Sequence, residues 1–319
     1  MKKFLLAAAL AAAACLASAQ TGDYPNKPIR MLLPFAAGGG GDVLGRLLAE
    51  RMGKILNQAV IVENKPGAAG TLGAHTAAMA PADGYNLSIG GMSTHLLAPA
   101  IYPKLPYDPL KSFTTVGRIG TSSILMVATN DYPANNLKEF LALAKARPGT
   151  VQYATWGLGS TGHFCAEVLA QKAGVKLVHV PYKGASQIMT DMLGGHITVG
   201  FVDMATGTPF VKEGKLKPLA VCTQRSPSLP QVASYKEQGI DFDQLLSWVM
   251  YMPAGVPAPM VDKVAGALKE ALAEPDVVSK LLALGITVDF LDGKAQAEEN
   301  ARDIPMWKKI AAEANITAD

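Results

Sequence analysis

Two glycine-rich stretches are the parts of this sequence best suited to hold a small anion. In the first, the four consecutive glycines at 38–41 follow the apolar run 29–35 and precede a periodic segment that starts at Asp42. In the second, the stretch 156–161, WGLGST, precedes a segment that starts at Gly162. Glycine allows sharp turns and close approach of the backbone to a ligand. The unpaired N–H groups and the dipole at a helix start attract anions. Each stretch therefore predicts a site for a carboxylate or phosphate that needs no basic side chain.

A secreted hydrolase is one alternative function. Ser93, His95, His163 and Asp203 could in principle assemble a hydrolytic triad, with Ser93 or Ser160 as the nucleophile. Their spacing gives no support to a triad, and the G-x-S-x-G motif fails at Ser160. Because polar residues in ligand-binding loops are more often hydrogen-bonding groups, we expect no enzyme.

A dinucleotide-binding protein is the other alternative. Glu63 ends the second predicted strand, where a ribose-binding acid belongs. The G-x-G-x-x-G fingerprint fails, however, because Leu44 stands where the last glycine is needed, and the P-loop motif is absent. His163 and Glu167 lie four apart on a predicted helix, but the second histidine of a zinc motif is missing. We therefore expect no cofactor and no metal.

The two turns lie within a chain in which strands alternate with helices. Strands are predicted at 29–35, 60–63, 86–90, 116–119, 124–129, 151–155, 177–180, 197–202, 216–223, 248–252 and 286–290. Such alternation indicates parallel sheets with helices on both faces, and ligands bind beyond the carboxyl ends of the strands. Both turns lie at such ends, so two lobes could grip one ligand. The last predicted helix, 295–314, should kink or split at Pro305.

Composition and the N-terminus limit the class of protein. A chain of 319 residues suits about two domains, and 49% hydrophobic with 17% charged residues is typical of a globular fold. Residues 1–19 read as a signal peptide cleaved after Ala19, which predicts export to the periplasm. Loss of Lys2 and Lys3 lowers the net charge from +3 to +1. A nearly neutral protein has no excess of positive charge that would indicate nucleic-acid binding. Cys165 and Cys222 are expected as buried thiols, although an oxidising compartment also permits a bridge.

Many segments of the chain resemble the Bug-type periplasmic solute receptors of tripartite tricarboxylate transporters. The matching stretches are YPNKPIRMLLPFAAGGGGD (24–42), VENKPGAAGTLGA (62–74), DGY (83–85), LPYDPLKSF (105–113), AKARPG (144–149), GLGSTGHFCAE (157–167), HVPYKGA (179–185), GKLKPLAVC (214–222) and RSPSLP (225–230). They span nearly the whole mature chain in the order of the family. Together they are specific, although each alone is weak.

The resemblance implies an α/β fold like that of type II periplasmic binding proteins. In this fold, two lobes, each with a mainly parallel sheet flanked by helices, are joined by crossing strands. We expect lobe one at 22–124 plus 246–319 and lobe two at 125–245, with crossings near Ser123 and Ser247. The resemblance further implies a monomer that binds a small carboxylate or an amide-like analogue. Such a receptor works with the membrane subunits of a tripartite tricarboxylate transporter or with a sensing system.

In this family, loops matching 35–42 and 157–163 hold the ligand carboxylate mostly through backbone groups and waters. Trp156 stands where the family usually has a smaller residue, and it would add a flat apolar wall suited to a ring. With Lys183 as the nearby cation, a small monocarboxylate that carries a ring is expected ahead of citrate-like ligands. The expected ligand-binding residues are Phe35, Ala36, Gly38, Gly39, Gly40, Asp42, Ser93, Thr94, Trp156, Gly157, Gly159, Ser160, Thr161, His163 and Asp203.

Overall fold

The computed structural model describes residues 24–244 and 246–317, and the expected signal peptide lies outside these residues. The strands are β1 (Ile29–Leu33), β2 (Val60–Asn64), β3 (Asn86–Gly91), β4 (Phe113–Ser122), β5 (Ile124–Thr129), β6 (Val151–Thr155), β7 (Leu177–Pro181), β8 (Val199–Asp203), β9 (Leu216–Val221), β10 (Leu246–Pro253) and β11 (Thr287–Asp292). Within the described residues, every helix is too short or too polar to cross a lipid bilayer.

The strands alternate with helices through most of the chain. The helices are α1 (Gly40–Leu56), α2 (Thr71–Ala78), α3 (Ala98–Ile101), α4 (Leu137–Ala146), α5 (Thr161–Ala173), α6 (Ala185–Leu193), α7 (Met204–Lys212), α8 (Ala258–Ala273), α9 (Pro275–Ala283) and α10 (Gly293–Glu313). A π-helical turn, Met92–Leu97, runs directly into α3, and this short helical region was not predicted.

The strands form two sheets, and the predicted α/β fold is confirmed. One sheet has six strands in the order β11-β4-β10-β3-β1-β2, and the other has five in the order β7-β6-β8-β5-β9. Both are mixed: β1 runs parallel to β2 and β3, and β6 runs parallel to β7 and β8, whereas β10 and β5 pair antiparallel with both of their neighbours. The expectation of mainly parallel sheets needs this correction, because apolar runs reveal a strand but not its direction.

The chain passes from one sheet to the other at Ser123, the single residue between β4 and β5. It returns between β9 and β10. The two crossing segments are joined to each other, since the Ser123 hydroxyl accepts hydrogen bonds from the backbone N–H of Thr223 at 3.1 Å and from its hydroxyl at 2.9 Å. Movement of one sheet relative to the other would be concentrated at this junction.

Separate apolar clusters lie against the two sheets, and α10 packs against elements of both halves of the molecule. On α1, Leu44, Leu48 and Met52 recur at helical spacing and are fully buried against the first sheet. The ring of Trp307, on α10, packs edge-to-face on Phe164 of α5 at 5.2 Å. The C-terminal helix therefore packs against a helix of the second sheet, although it follows the last strand of the first sheet.

One local prediction is wrong and another is wrong in part. The last helix, expected to kink or split at Pro305, is not split: it continues from 293 to 313, with Ile304 and Trp307 buried on either side of the proline. Cys165 and Cys222 are not free thiols but form a disulfide that joins α5 to the residue after β9. Their separation of 57 positions carries no information about distance, and both lie in one buried cluster of the fold.

Candidate functional site

A cavity of about 160 Å³ lies between the two sheets. The ends of β1 and β3 and the start of α1 contribute one side, and the turn after β6 and the end of β8 contribute the other. The carboxyl ends of strands in an α/β sheet are where ligands bind. The cavity is lined by ten of the expected residues: Phe35, Ala36, Gly39, Gly40, Ser93, Thr94, Trp156, Gly157, Thr161 and Asp203.

Five expected residues lie in or beside the two glycine turns and not in the lining of the cavity, and their contact with a ligand stays a prediction. They are Gly38, Asp42, Gly159, Ser160 and His163. The carboxylate of Asp42 accepts hydrogen bonds from Gly38 N–H and from the Asn64 amide, both at 2.9 Å. Burial opposes its ionisation, but the hydrogen bonds from Arg46, Gly38 and Asn64 hold the pKa of Asp42 below its ordinary value. Asp42 thus stabilises the first glycine turn from outside the cavity.

The second glycine turn is held by a helix cap. The Ser160 hydroxyl is fully buried and accepts the backbone N–H of His163 at 3.2 Å, which caps α5. His163 Nδ1 accepts the backbone N–H of Gly159 at 3.3 Å, so this nitrogen carries no proton. Burial, and the neighbouring His179, lower the pKa of His163 to about 3. The turn therefore contains a neutral imidazole that fixes its shape.

The first glycine turn touches the second sheet directly. Gly40 N–H donates to the Thr206 hydroxyl at 2.9 Å. A Cβ atom placed on Gly40 would lie 2.0 Å from Asp203 Oδ1 and 2.6 Å from Ala205 Cβ, so only glycine fits here. At Gly39, by contrast, the nearest atom would be 3.4 Å away. Gly40 therefore makes the close approach to the second half of the protein, whereas a Cβ on Gly41 would meet the ring of Phe35 at 2.4 Å.

A second pair of hydrogen bonds joins the two sides of the cavity. Thr161 N–H, at the start of α5, donates to the Ser93 hydroxyl at 3.1 Å, and the two hydroxyls are 2.8 Å apart. Ser93 follows β3 in the first sheet. Together with the Gly40–Thr206 bond, this contact means that the cavity is seen in a closed arrangement.

Aromatic rings form much of the wall, and one of them was missed by sequence reasoning. The indoles of Trp156 and Trp248 both line the cavity, and Trp248 packs edge-to-face on Phe35 at 5.2 Å. Trp156 lies over the start of α5, where a Cβ on Gly162 would come within 2.7 Å of the indole. Trp248 sits on β10, and only the antiparallel pairing of β10 with β3 brings it to the site.

Other parts of the wall were also missed. They come from the turn at 67–70, the end of β3 at 90–92, the crossing at 122–124, the turn at 182–185 and the start of β10 at 246–248. The stretch 67–70, GAAG, offered a sequence signal, because two glycines flank a pair of small residues ahead of a helix. The other four stretches have weak sequence signals, since they reach the cavity only through the pairing of strands that are distant in sequence.

Ala68 and Ala69 are the strained part of this wall. Both have left-handed backbone angles, with φ of 46° and 53°. Such angles are uncommon for residues other than glycine, and they cluster at ligand sites. The turn at 67–70 directly precedes α2, so its backbone is a third place where N–H groups can meet an anion.

The geometry gives no support to the alternative functions. The hydroxyl of Ser160 donates to Thr155 Oγ1 and that of Ser93 bonds with Thr161, so among the described residues neither serine meets an imidazole or a carboxylate. Glu63 pairs with Arg30 and does not line the cavity. No cluster of three or more potential metal ligands occurs within residues 24–244 and 246–317.

Two mixed α/β sheets closed around one interior cavity are the architecture of periplasmic solute-binding proteins. The chain belongs to the family described as the tripartite tricarboxylate transporter family receptor, whose model matches residues 44–316. The first glycine turn lies just ahead of the matched region. The predicted family and its receptor class are therefore confirmed.

Three solved structures illustrate the similarity. The periplasmic binding protein BugD is 32% identical, with a TM-score of 0.88 over 93% of this chain and 100% of that chain. An R. palustris protein solved with adipate is 27% identical, with a TM-score of 0.88 over 92% of this chain and 99% of that one. MatC from Rhodopseudomonas palustris, with bound malate, is 29% identical, with a TM-score of 0.85 over 90% and 99% of the two chains.

Proposed function

We propose that this chain is an exported receptor without catalytic activity that captures a small carboxylate, or an amide-like analogue, in the cavity between its two sheets. The observation that carries the proposal is the closed cavity itself, bounded by glycine turns from both sheets and bridged by Gly40–Thr206 and Ser93–Thr161. The adipate and malate bound by two similar proteins support a carboxylate as the ligand class. The receptor acts as a monomer in the periplasm and delivers its ligand to the membrane subunits of a tripartite transporter or to a sensing system.

The ligand we propose is a small monocarboxylate that carries a ring. The cavity of about 160 Å³ is close to the ~150 Å³ apolar cavity that accepts a benzene molecule. Trp156, Trp248 and Phe35 supply ring faces and edges for stacking. Lys183 is the basic residue of the described cavity wall, and its side chain is exposed. A second or third carboxylate would therefore be buried without a cation, which is costly.

The carboxylate itself would be held by backbone N–H groups and hydroxyls. The turn at 67–70, with its strained Ala68 and Ala69, lines the cavity, as does Thr161 at the start of α5, whose N–H already donates to the Ser93 hydroxyl. The hydroxyls of Ser93 and Thr161 lie between them. Such neutral donors can stabilise an anion at helix starts without a salt bridge.

We also propose that the two sheets and their helices are separate lobes, at 22–124 plus 246–319 and at 125–245. Closure would turn on the junction of Ser123 with Thr223, where both crossings meet. The packing of Trp307 on Phe164 also joins the end of the chain to lobe two. A structure in which 22–160 moved as one body would contradict this division.

Three measurements test the proposed function. Mass spectrometry of the compound retained through purification should identify a ring monocarboxylate, and recovery of citrate would contradict the argument from missing cations. X-ray scattering with and without ligand should show compaction on saturation. Turnover of an ester or amide panel that vanished in a folded Ser160→Ala variant would instead favour a hydrolase.

A further inference from the structure

Two histidines outside the lining of the cavity support the second glycine turn. His163 lies on α5 and His179 on β7, and their ring centroids are 4.3 Å apart. His163 Nδ1 accepts the backbone N–H of Gly159 at 3.3 Å. His179 Nε2 lies 2.6 Å from the hydroxyl oxygen of Thr155, the last residue of β6. Each imidazole is thus linked to the turn through a short chain of hydrogen bonds.

The hydroxyl of Thr155 decides the tautomer of His179. It is fully buried, and its oxygen is 3.3 Å from both the backbone nitrogen of Gly157 and the hydroxyl oxygen of Ser160. A hydroxyl has one proton and two lone pairs. If Thr155 donates to His179, both lone pairs are free to accept Gly157 N–H and the Ser160 hydroxyl. If His179 donated instead, three donors would compete for two lone pairs. His179 Nε2 therefore carries no proton.

The two imidazoles are consequently in opposite tautomers. His163 is protonated at Nε2, because its Nδ1 is an acceptor, and His179 is protonated at Nδ1. A further proton can enter each neutral ring only at its bare nitrogen. On His163 it would displace Gly159 N–H, and on His179 it would leave one donor of the turn without its place on Thr155. A buried donor that loses its acceptor is costly.

The surroundings keep this pair neutral. The titratable side chains on neighbouring parts of the chain are Tyr102, Tyr153, Glu167, Tyr182, Lys183 and Asp191. Glu167 and Asp191 accept the hydroxyls of Tyr153 and Tyr182, and within the described chain neither imidazole pairs with a carboxylate. Burial, and the neighbouring His179, lower the pKa of His163 to about 3. Burial lowers the pKa of His179 to about 4.

We propose that His163 and His179 are positioning residues for ligand binding, which hold the second glycine turn in its binding shape as a neutral pair of opposite tautomers and lower the ligand affinity when either gains a proton. Trp156 and Gly157 of this turn line the cavity, so a change in the turn changes the wall that the ligand meets. This inference rests on the proposed function and adds a dependence on pH to it.

The affinity should fall as the pH falls. Burial holds the pKa of both rings down, and opening of the cavity to water relieves part of that burial. The open receptor therefore takes up a proton more readily than the closed one. Protons and ligand then compete for the receptor, and the competition grows stronger in acid.

NMR of the mature chain labelled with 15N-histidine tests the tautomers without any ligand. At pH 7.5 the bare nitrogen should be Nδ1 in His163 and Nε2 in His179, and the signals are assigned by their loss in His163→Asn and His179→Gln. The same tautomer in both rings, or a charged ring at this pH, would overturn the inference.

Calorimetry with benzoate tests the link to binding. His163→Leu and His179→Leu, which provide no acceptor, should weaken benzoate by about 5- to 50-fold at pH 7.5. His163→Asn and His179→Gln supply a neutral acceptor near the lost nitrogen and should recover most of the affinity. Between pH 7 and 5 the parent should lose at least about threefold more affinity than the Asn/Gln double variant. The ionisation of benzoate is common to both proteins and cancels in their ratio.

The matched control is His196→Gln, which removes an exposed histidine and should follow the parent at every pH. If the leucine variants do not fold, the tautomers and the pH comparison decide. Benzoate binding with the same pH profile in the parent and the double variant would overturn the inference and leave the proposed function standing. Opposite tautomers in a protein that bound no carboxylate and no amide would overturn the proposed function, and with it the role of the pair in positioning a ligand.

Discussion

The backbone N–H of Gly40 donates a hydrogen bond to the hydroxyl of Thr206 and so joins the first glycine turn to the opposite sheet. The first glycine turn was predicted to bind an external anion, but one of its N–H groups donates to a hydroxyl of the protein itself. The start of α1 faces Asp203, which is the N-cap of α7, and Thr206, whose N–H donates to the Asp203 carboxylate. The N–H of Gly40 is therefore used to hold the first glycine turn against the second half of the protein.

Gly40→Ala is expected to weaken ligand binding roughly 10- to 100-fold, because its Cβ would meet Asp203 Oδ1 at 2.0 Å and prevent closure. Gly39→Ala is the matched control. Its Cβ would have 3.4 Å to the nearest atom, and its φ of −82° suits any residue, so less than about a fivefold change is expected. Calorimetry gives the affinities, and scattering reports whether Gly40→Ala still compacts. Equal effects at the two positions would refute a closure role for Gly40.

Thr206→Val should lower affinity by about fivefold, because it leaves Gly40 N–H and Asp203 Oδ2 without their shared partner. Thr206→Ser keeps the hydroxyl and should restore binding. The comparison is made by calorimetry with one ligand. If serine failed to rescue, the methyl packing of Thr206 and not its hydroxyl would be the important feature.

The disulfide between Cys165 and Cys222 predicts a stability effect. Replacing both cysteines by serine should lower the free energy of unfolding by about 4 kcal/mol, on the chain-entropy estimate for a loop of 57 residues. Denaturant unfolding measures the change. When the parent protein is unfolded in the presence of reductant, its free energy of unfolding should approach that of the variant. An unfolding midpoint that changes neither in the variant nor with reductant would contradict the prediction.

Much of the fold could be predicted because it is encoded locally. The apolar run before the glycines and the helical spacing of Leu44, Leu48 and Met52 fix β1 and α1 without any knowledge of the rest. The direction of β10 could not be predicted, since its apolar sequence suits either orientation. That orientation decides which side chains reach the site, so Trp248 was missed while Trp156, next to a glycine turn, was found.

The site was predicted less completely than the fold, for the same reason. Glycine content identified the turns, but it could not separate Gly40, which touches Asp203, from Gly38, which turns away and bonds to Asp42. The left-handed angles of Ala68 and Ala69 carry no residue signature, because alanine normally avoids them. Such positions are held by the surrounding structure rather than by local preference.

Buried histidines predict how stability depends on pH. Burial lowers the pKa of His95 to about 3, and its ring stacks on Tyr251 at 3.8 Å. A histidine whose folded pKa lies below its unfolded value of ~6.5 contributes stability that is present above pH 6.5 and is lost as pH falls toward the folded pKa. The parent should therefore lose on the order of 1 kcal/mol per pH unit more than His95→Phe between pH 6.5 and 4.5. Denaturant unfolding at several pH values measures the two slopes, and parallel slopes would show that the pKa of His95 is the same in the folded and unfolded states.

Trp156 provides the last prediction, which concerns the ring of the ligand. Its indole lines the cavity beside the start of α5 and also packs against the buried core, so Trp156→Ala should remove a stacking face and open space beside the core. The loss for an aromatic monocarboxylate such as benzoate should be about tenfold or more, since an aromatic pair contributes roughly 0.5–1.5 kcal/mol beyond the area it buries. Propionate, which cannot stack, should lose less than about threefold. Trp156→Phe should recover part of the benzoate affinity. If benzoate and propionate weakened equally, the indole would be supporting the glycine turn instead of contacting the ligand, and the ring specificity would have to come from Trp248 and Phe35.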